Sequence, residues 1–281
     1  MVCPLRGREG KRPRAQPPIP QARGSPPLAS PLLIVIVTMD FQNRIFGWNK
    51  TLTKQEIAIT EQVQQKIKPL LRGWFHAAAA LASVILTLVL CWYSRADLPR
   101  FISLFIFGLS MIEMYTVSAI YHIVHWEPAK RRVWRALDHA NIFVLIAGTY
   151  TPLCFNILSG WVRITLLTTI WLLALAGIVF ALFPYALRVP KWFSASIYIL
   201  MGWIAVLAMP AFLAVLPWSF VFTMIAGGLL YTIGAIAYAT RWPNPFPRVF
   251  GYHEIFHIFV IAGSVAFASC VWIWALTFPR V

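Results

Sequence analysis

Residues 253–257 read His-Glu-Ile-Phe-His, two histidines four positions apart with a glutamate between them. On a helix, His253 and His257 share one face about 6 Å apart along the axis and can hold a single ion. The letters also fit H-E-x-x-H, the signature of a metalloprotease helix in which a third ligand usually follows downstream. Only 24 residues follow His257, and none is His, Asp, Glu or Lys. A third imidazole is available upstream at His122, which closes the stretch Ser118-Ala-Ile-Tyr-His122. Three histidines and one open position describe a catalytic zinc site. Asp138 is the carboxylate best placed to orient the metal's water and take its proton. Ser118, one turn from His122, could bond to Asp138, the water or a substrate carbonyl; its plainer role is a hydroxyl bonded to its own helix.

The other polar residues compete less well for the site. Glu254 lies about 100° around the helix from His253, which suits an interfacial or packing role better than that of general base. His125 is a rival ligand one turn beyond His122, and His139 points away from the face of Asp138 and is expected to be structural. His76 is close enough in depth to support the ligands. Glu113 sits mid-span, roughly opposite His122 on its helix, and suggests an interhelix hydrogen bond.

These residues are carried by apolar runs. Hydrophobic residues make up 59% of the 281 positions and charged ones 12%, with mean hydropathy +0.71, whereas a soluble domain is about 25% charged. Seven runs have the length that crosses a hydrocarbon core as a helix, near 72–94, 101–123, 134–158, 161–183, 193–215, 217–239 and 252–277. Lipid offers no hydrogen bonds to backbone, so each run is expected to be helical. The fold class is an all-α, seven-transmembrane helix bundle. Fourteen Lys and Arg residues between Arg44 and Arg248 fall on the side shared with the N-terminus, against Arg95, Arg100, Arg163 and Arg280 on the other. That bias predicts a cytoplasmic N-terminus and a C-terminus outside. It also accounts for the net charge of +15 without nucleic acid as a partner; membrane lipids are the expected partners, and the cell membrane the expected location. With this topology the second span ends, and the third and seventh begin, at one depth near the cytoplasmic face. His122, Asp138 and the His253/His257 pair therefore meet there.

Residues 1–52 read as a basic, Pro-rich, disordered extension, with eight prolines between Pro4 and Pro31. The apolar stretch 32–37 is too short to span and does not read as a signal peptide. Met39 opens a more ordinary polar segment, which suggests a later start for the native chain. Residues 53–71 look like an amphipathic lead-in helix on the membrane surface, and 72–281 form the seven-span domain. Cys91 and Cys154, at the outer ends of the first and third spans, could form a disulfide.

The motifs SAIYH (118–122), LDHANIF (137–143), AGTYTP (147–152) and the H-x-x-x-H pair of His253 and His257 together resemble the hemolysin III family, the microbial branch of the progestin and adipoQ receptor superfamily. The resemblance runs from about residue 53 to 281. It implies a seven-helix bundle with a zinc ion near the cytoplasmic leaflet, held by His122, His253 and His257, with Asp138 on its water and Ser118 beside it. In the related adiponectin receptors a non-acidic residue stands where Glu254 does, which counts against a protease role. Similarity of the superfamily to alkaline ceramidases implies hydrolysis of a lipid amide or ester. The alternatives are a receptor or membrane-homeostasis protein with structural zinc, and a pore-forming cytolysin. The last fits poorly, because the spans lack the polar stripe that a wide aqueous pore needs.

Overall fold

The computed structural model describes residues 69–183 and 189–279. The extension 1–52 and most of the lead-in helix lie outside the described residues. Seven helices are long and apolar enough to cross a membrane: α1 (Trp74–Ser94), α2 (Leu98–Ile123), α3 (Pro128–Ile157), α4 (Gly160–Leu182), α5 (Lys191–Leu213), α6 (Trp218–Thr240) and α7 (Tyr252–Ala275). No strand is present among the described residues. The chain is a multi-pass integral membrane protein.

Successive helices pack side by side, except that α5 packs on α6 and α3 rather than on α4, and α7 returns to α1 to close the bundle. α3 is the most deeply buried helix. Its start is the main departure from the sequence expectation: it begins at Pro128 rather than near 134, because Glu127 and Pro128 supply a helix start and the charged turn Lys130-Arg131-Arg132 is helical although it is not apolar. A hydropathy reading stops where charge begins, whereas the hydrogen bonding continues.

α5 is the irregular helix. Its first part, Lys191–Trp203, gives way to a 3-10 segment, Ile204–Ala208, before Met209–Leu213. Pro210 lacks the N–H that an α-helix would use and clashes with the carbonyl four residues back, so the α-helical ladder cannot run through. Tyr150 of α3 satisfies the freed backbone: its hydroxyl accepts from Ala205 N at 2.7 Å and donates to Gly202 O at 2.7 Å. Lipid itself could not supply those bonds.

Connectivity places the end of α2 and the starts of α1, α3, α5 and α7 at one end of the bundle, called here the histidine end. At the opposite end Arg100 of α2 donates to the carbonyls of Leu276 and Phe278, fastening the tail of α7. Cys91 and Cys154 are free thiols and form no disulfide; their places toward the ends of α1 and α3 away from the histidines do not bring them into a bond.

Candidate metal centre

The first turn of α7 is set by Glu254. Its Oε2 accepts from Gly251 N at 2.8 Å, capping the helix start, and its Oε1 accepts from Arg72 Nε at 2.8 Å. Glu254 is fully buried, with both carboxylate oxygens engaged, so it is a helix cap and an ion-pair partner and not a general base. A Cβ at Gly251 would lie 2.4 Å from Asn244 Oδ1, so a larger residue at the cap would make the Asn244 side chain move. The α6–α7 loop is laced to the chain before α1 by Leu70 N to Arg248 O at 3.1 Å and Leu71 N to Val249 O at 3.3 Å. This lacing fixes α7 against α1 and α2, and so fixes where His253 and His257 stand.

His122 arrives from the last turn of α2. Gly73 lets the chain entering α1 pass close by: it has φ +89, and a Cβ would come within 3.0 Å of His122 Cβ. His122 Nε2 and His253 Nε2 are 3.1 Å apart. One ligand nitrogen from each of His122, His253 and His257 lies within 4.8 Å of the other two. Nitrogens bound at about 2.0–2.1 Å in a tetrahedral zinc site are separated by about 3.3 Å. The three imidazoles are therefore close to the spacing at which they can share one ion. His76, fully buried, stacks on His257 with ring centroids 3.7 Å apart and planes at 12°, so it walls the site from the α1 side as the supporting residue the sequence suggested.

Asp138 reaches the same place from α3, with Oδ2 3.9 Å from His122 Nε2. Its Oδ1 and the Ser118 Oγ are buried without a hydrogen-bond partner among the described residues, as is His257 Nδ1. Ser118 stands beside Asp138 but does not meet hydrogen-bond geometry with it. A buried polar atom left unmatched costs about 1–3 kcal/mol. These three atoms, with both ring nitrogens of the adjacent His76 likewise unmatched, surround three convergent imidazoles and fit a site that takes a cation and its water. The donor set, all imidazole nitrogen with an adjacent carboxylate, suits zinc and several other divalent metals.

The remaining candidates lie elsewhere. His125 is beyond the end of α2 and exposed. His139 bonds to its own helix, with Nδ1 2.8 Å from Arg135 O, but does not point away from Asp138 as expected: the same nitrogen lies 3.8 Å from Asp138 Oδ2, because adjacent side chains on a helix can bend toward one another. Glu113 corrects the expectation of a side-chain bond between helices: its side chain is exposed, and the interhelix contact is made by its backbone carbonyl, which accepts from Asn141 Nδ2 at 3.4 Å. Lying opposite the buried His122 face turned it outward.

Three features were not read from the sequence. Arg72 as the partner of Glu254 is one, although a cation before the first span and a carboxylate opening the seventh is a usable signal. The second is the hydroxyl cluster one level deeper, where Tyr115 donates to Ser264 Oγ and Tyr231 OH lies 2.8 Å from the same atom. The third is an apolar pocket of about 110 Å³ between α3, α5, α6 and α7, bounded by Tyr150, Trp203, Tyr231 and Phe256. The break in α5 supplies much of its wall. Phe256 also packs on His253, with ring centroids 5.9 Å apart, so this ring stands between the pocket and the histidines.

Comparison with known proteins agrees with this architecture. A family described as Haemolysin-III related matches residues 64–268. Hemolysin-3 of Bacillus cereus is 32% identical over 228 residues, 80% of this chain and 98% of that protein. The Hemolysin-3 homolog of Bacillus subtilis (strain 168) is 36% identical over 179 residues, 63% of this chain and 79% of that protein. More distantly, the human monocyte to macrophage differentiation factor is 24% identical over 176 residues, 61% of this chain and 69% of that protein.

Proposed function

The chain belongs to the haemolysin-III-related family, and from that premise we propose that it is a zinc-dependent hydrolase of a membrane-lipid amide or ester, with its site facing the cytoplasmic leaflet of the cell membrane. The observation that carries the reading is the pairing of three convergent imidazoles with a buried carboxylate that keeps one oxygen unmatched. A site that only stapled helices together would have no use for that oxygen. Zinc held by three histidines supplies a bound water with its pKa lowered to about 7 and a Lewis acid for a carbonyl. His122, His253 and His257 would hold the ion, with His253 and His257 locked by the Glu254 cap and His257 steadied by the His76 ring. Asp138 Oδ1 would accept the proton of the attacking water and return it to the leaving group. Ser118 Oγ, beside it, would donate to the substrate carbonyl oxygen as charge develops there. The apolar pocket beyond Phe256 would take the acyl chain and keep bulk water out.

Elemental analysis of the purified protein tests the metal. Wild type should carry close to one zinc per chain and His257→Ala almost none. Asp138→Asn should keep the metal and lose lipid hydrolysis by a factor of about 100 or more, the range of a general base. A zinc-loaded wild type that cleaves no lipid amide or ester, and that Asp138→Asn leaves unchanged, would favour the second reading, in which the metal pins α2 to α7 in a receptor or membrane-homeostasis protein. The specific observation behind that second reading is that the three histidines come from those two helices alone.

A further inference from the structure

We propose that Lys191, with Arg135 and Arg241 near it, forms a phosphate-binding subsite at the mouth of the histidine site, suited to a lipid with a phosphorylated headgroup. The inference rests on, and deepens, the lipid-hydrolase reading.

Lys191 is the first residue of α5. Its ammonium lies 4.3 Å from the centre of the Tyr238 ring and 5.0 Å from that of Tyr252, and its Nζ is 3.3 Å from the Tyr252 hydroxyl. The same two tyrosines flank a metal-site residue: Tyr238 lies 5.5 Å and Tyr252 6.3 Å, centroid to centroid, from His253. Tyr238 also packs at 5.1 Å on Phe256, the pocket wall. The ammonium is therefore tethered where the histidines, the pocket and the end of the bundle meet. An ammonium has three donors, and one weak bond to a tyrosine oxygen is recorded for Lys191 among the described residues.

The cations near Lys191 are Arg241, Arg135 and Arg72, and the carboxylate of the same region is Asp138, which faces Arg135 and Tyr238. Arg72 is neutralised by Glu254. No ion pair joins Lys191, Arg135 or Arg241 to a carboxylate among the described residues. Arg135 also acts on Asp138 and on Tyr238, so it approaches the same place from α3. A general excess of cations at a cytoplasmic lip needs only scattered, solvated side chains, as Arg131 and Arg132 are. Lys191 and Arg135 are half-buried by comparison, with the exposed Arg241 near them, and like charges brought together cost energy unless an anion joins them. The start of α5 adds unpaired backbone N–H groups and the positive end of the helix dipole, both suited to phosphate oxygens. Tyr238 links this cluster to the apolar pocket through Phe256, so one molecule with its acyl chains in the pocket and a phosphate head at Lys191 would fit both.

The test is binding, measured without turnover. The full-length protein in a neutral detergent is titrated with dioctanoyl phosphatidic acid, with dioctanoylglycerol, which lacks only the phosphate, and with inorganic phosphate. Wild type should bind the phosphatidic acid about tenfold or more tighter than the diglyceride, the size of one charge-assisted hydrogen bond. Lys191→Met should lose that preference while still binding the diglyceride, which shows that the variant is folded. Lys191→Arg should keep most of it, and Arg131→Gln with Arg132→Gln should leave it unchanged. Equal affinity for the two lipids in wild type, or an equal loss in the Arg131/Arg132 variant, overturns the subsite in favour of diffuse surface attraction. Inorganic phosphate bound as tightly as the phosphatidic acid overturns the lipid headgroup as source and assigns the subsite to the soluble anion. A protein that binds as expected yet hydrolyses nothing sinks the hydrolase reading alone.

Discussion

Glu254 and Asp138 are both buried carboxylates within reach of the histidines, and their partners divide their work. Glu254 has a bond on each oxygen, one to a helix start and one to a guanidinium. Asp138 has an oxygen with none. Removing charge from the first should therefore cost stability, and removing it from the second should cost chemistry. Glu254→Gln keeps the shape and weakens both bonds. Breaking a buried ion pair costs about 3–5 kcal/mol, but Arg72 is 23% exposed and can turn to water, so a loss of about 2 kcal/mol is expected. Thermal unfolding of the purified protein should show a lowered midpoint with zinc content unchanged; a zinc-free Glu254→Gln that unfolds like wild type would make Glu254 part of the metal site. The letters of H-E-x-x-H alone could not divide these roles. The angle of Glu254 around the helix pointed away from the site, but its actual partner, Arg72, stands 182 residues away in the chain. Only the closure of α7 on α1 brings them together.

Helices were legible from composition, and their irregularities were not. Runs of about 20 apolar residues declare themselves because lipid demands internal hydrogen bonding along the whole length. The break in α5 has its cause in sequence, at Pro210, but its cure lies on another helix, at Tyr150. Tyr150→Phe tests that dependence. It leaves Ala205 N and the carbonyl of Gly202 without their partner, at about 1–3 kcal/mol, and should lower thermal stability accordingly. Because Tyr150, Gly202 and Ala205 all border the apolar pocket, acyl-chain binding should weaken in the same variant while zinc content holds. A variant as stable as wild type would mean that α5 satisfies its own backbone. The same logic explains why the start of α3 moved outward: the turn that carries Lys130 to Arg132 obeys helix-capping chemistry, which hydropathy does not register. Glu113 was ambiguous for a related reason, since helical angle tells which residues share a face but not which face meets a neighbour.

At the scale of the whole molecule, the two ends of the bundle are held by different means. The histidine end is fastened by the buried Arg72–Glu254 pair and by backbone bonds of the α6–α7 loop, the other end by Arg100 gripping the carbonyls of Leu276 and Phe278. Both clamps join the ends of α7 to its neighbours, and together they fix the axial position of His253 and His257 against α2. Which leaflet receives that site is decided by charge. The sequence predicts fourteen Lys and Arg residues outside the 1–38 segment for the histidine side and four for the other, a bias that would retain the richer side in the cytoplasm during insertion. Seven crossings would then put the C-terminus outside. Two fusions of the full chain read this directly. Alkaline phosphatase, which needs export to fold, should be active when joined after Val281, and green fluorescent protein, which does not mature after unfolded export, should be dark there. The opposite pattern would turn the bundle over and set the histidines at the outer leaflet. Lipids would then enter from the extracellular side, and the cationic rim of Lys191, Arg135 and Arg241 would face a surface with few anionic headgroups.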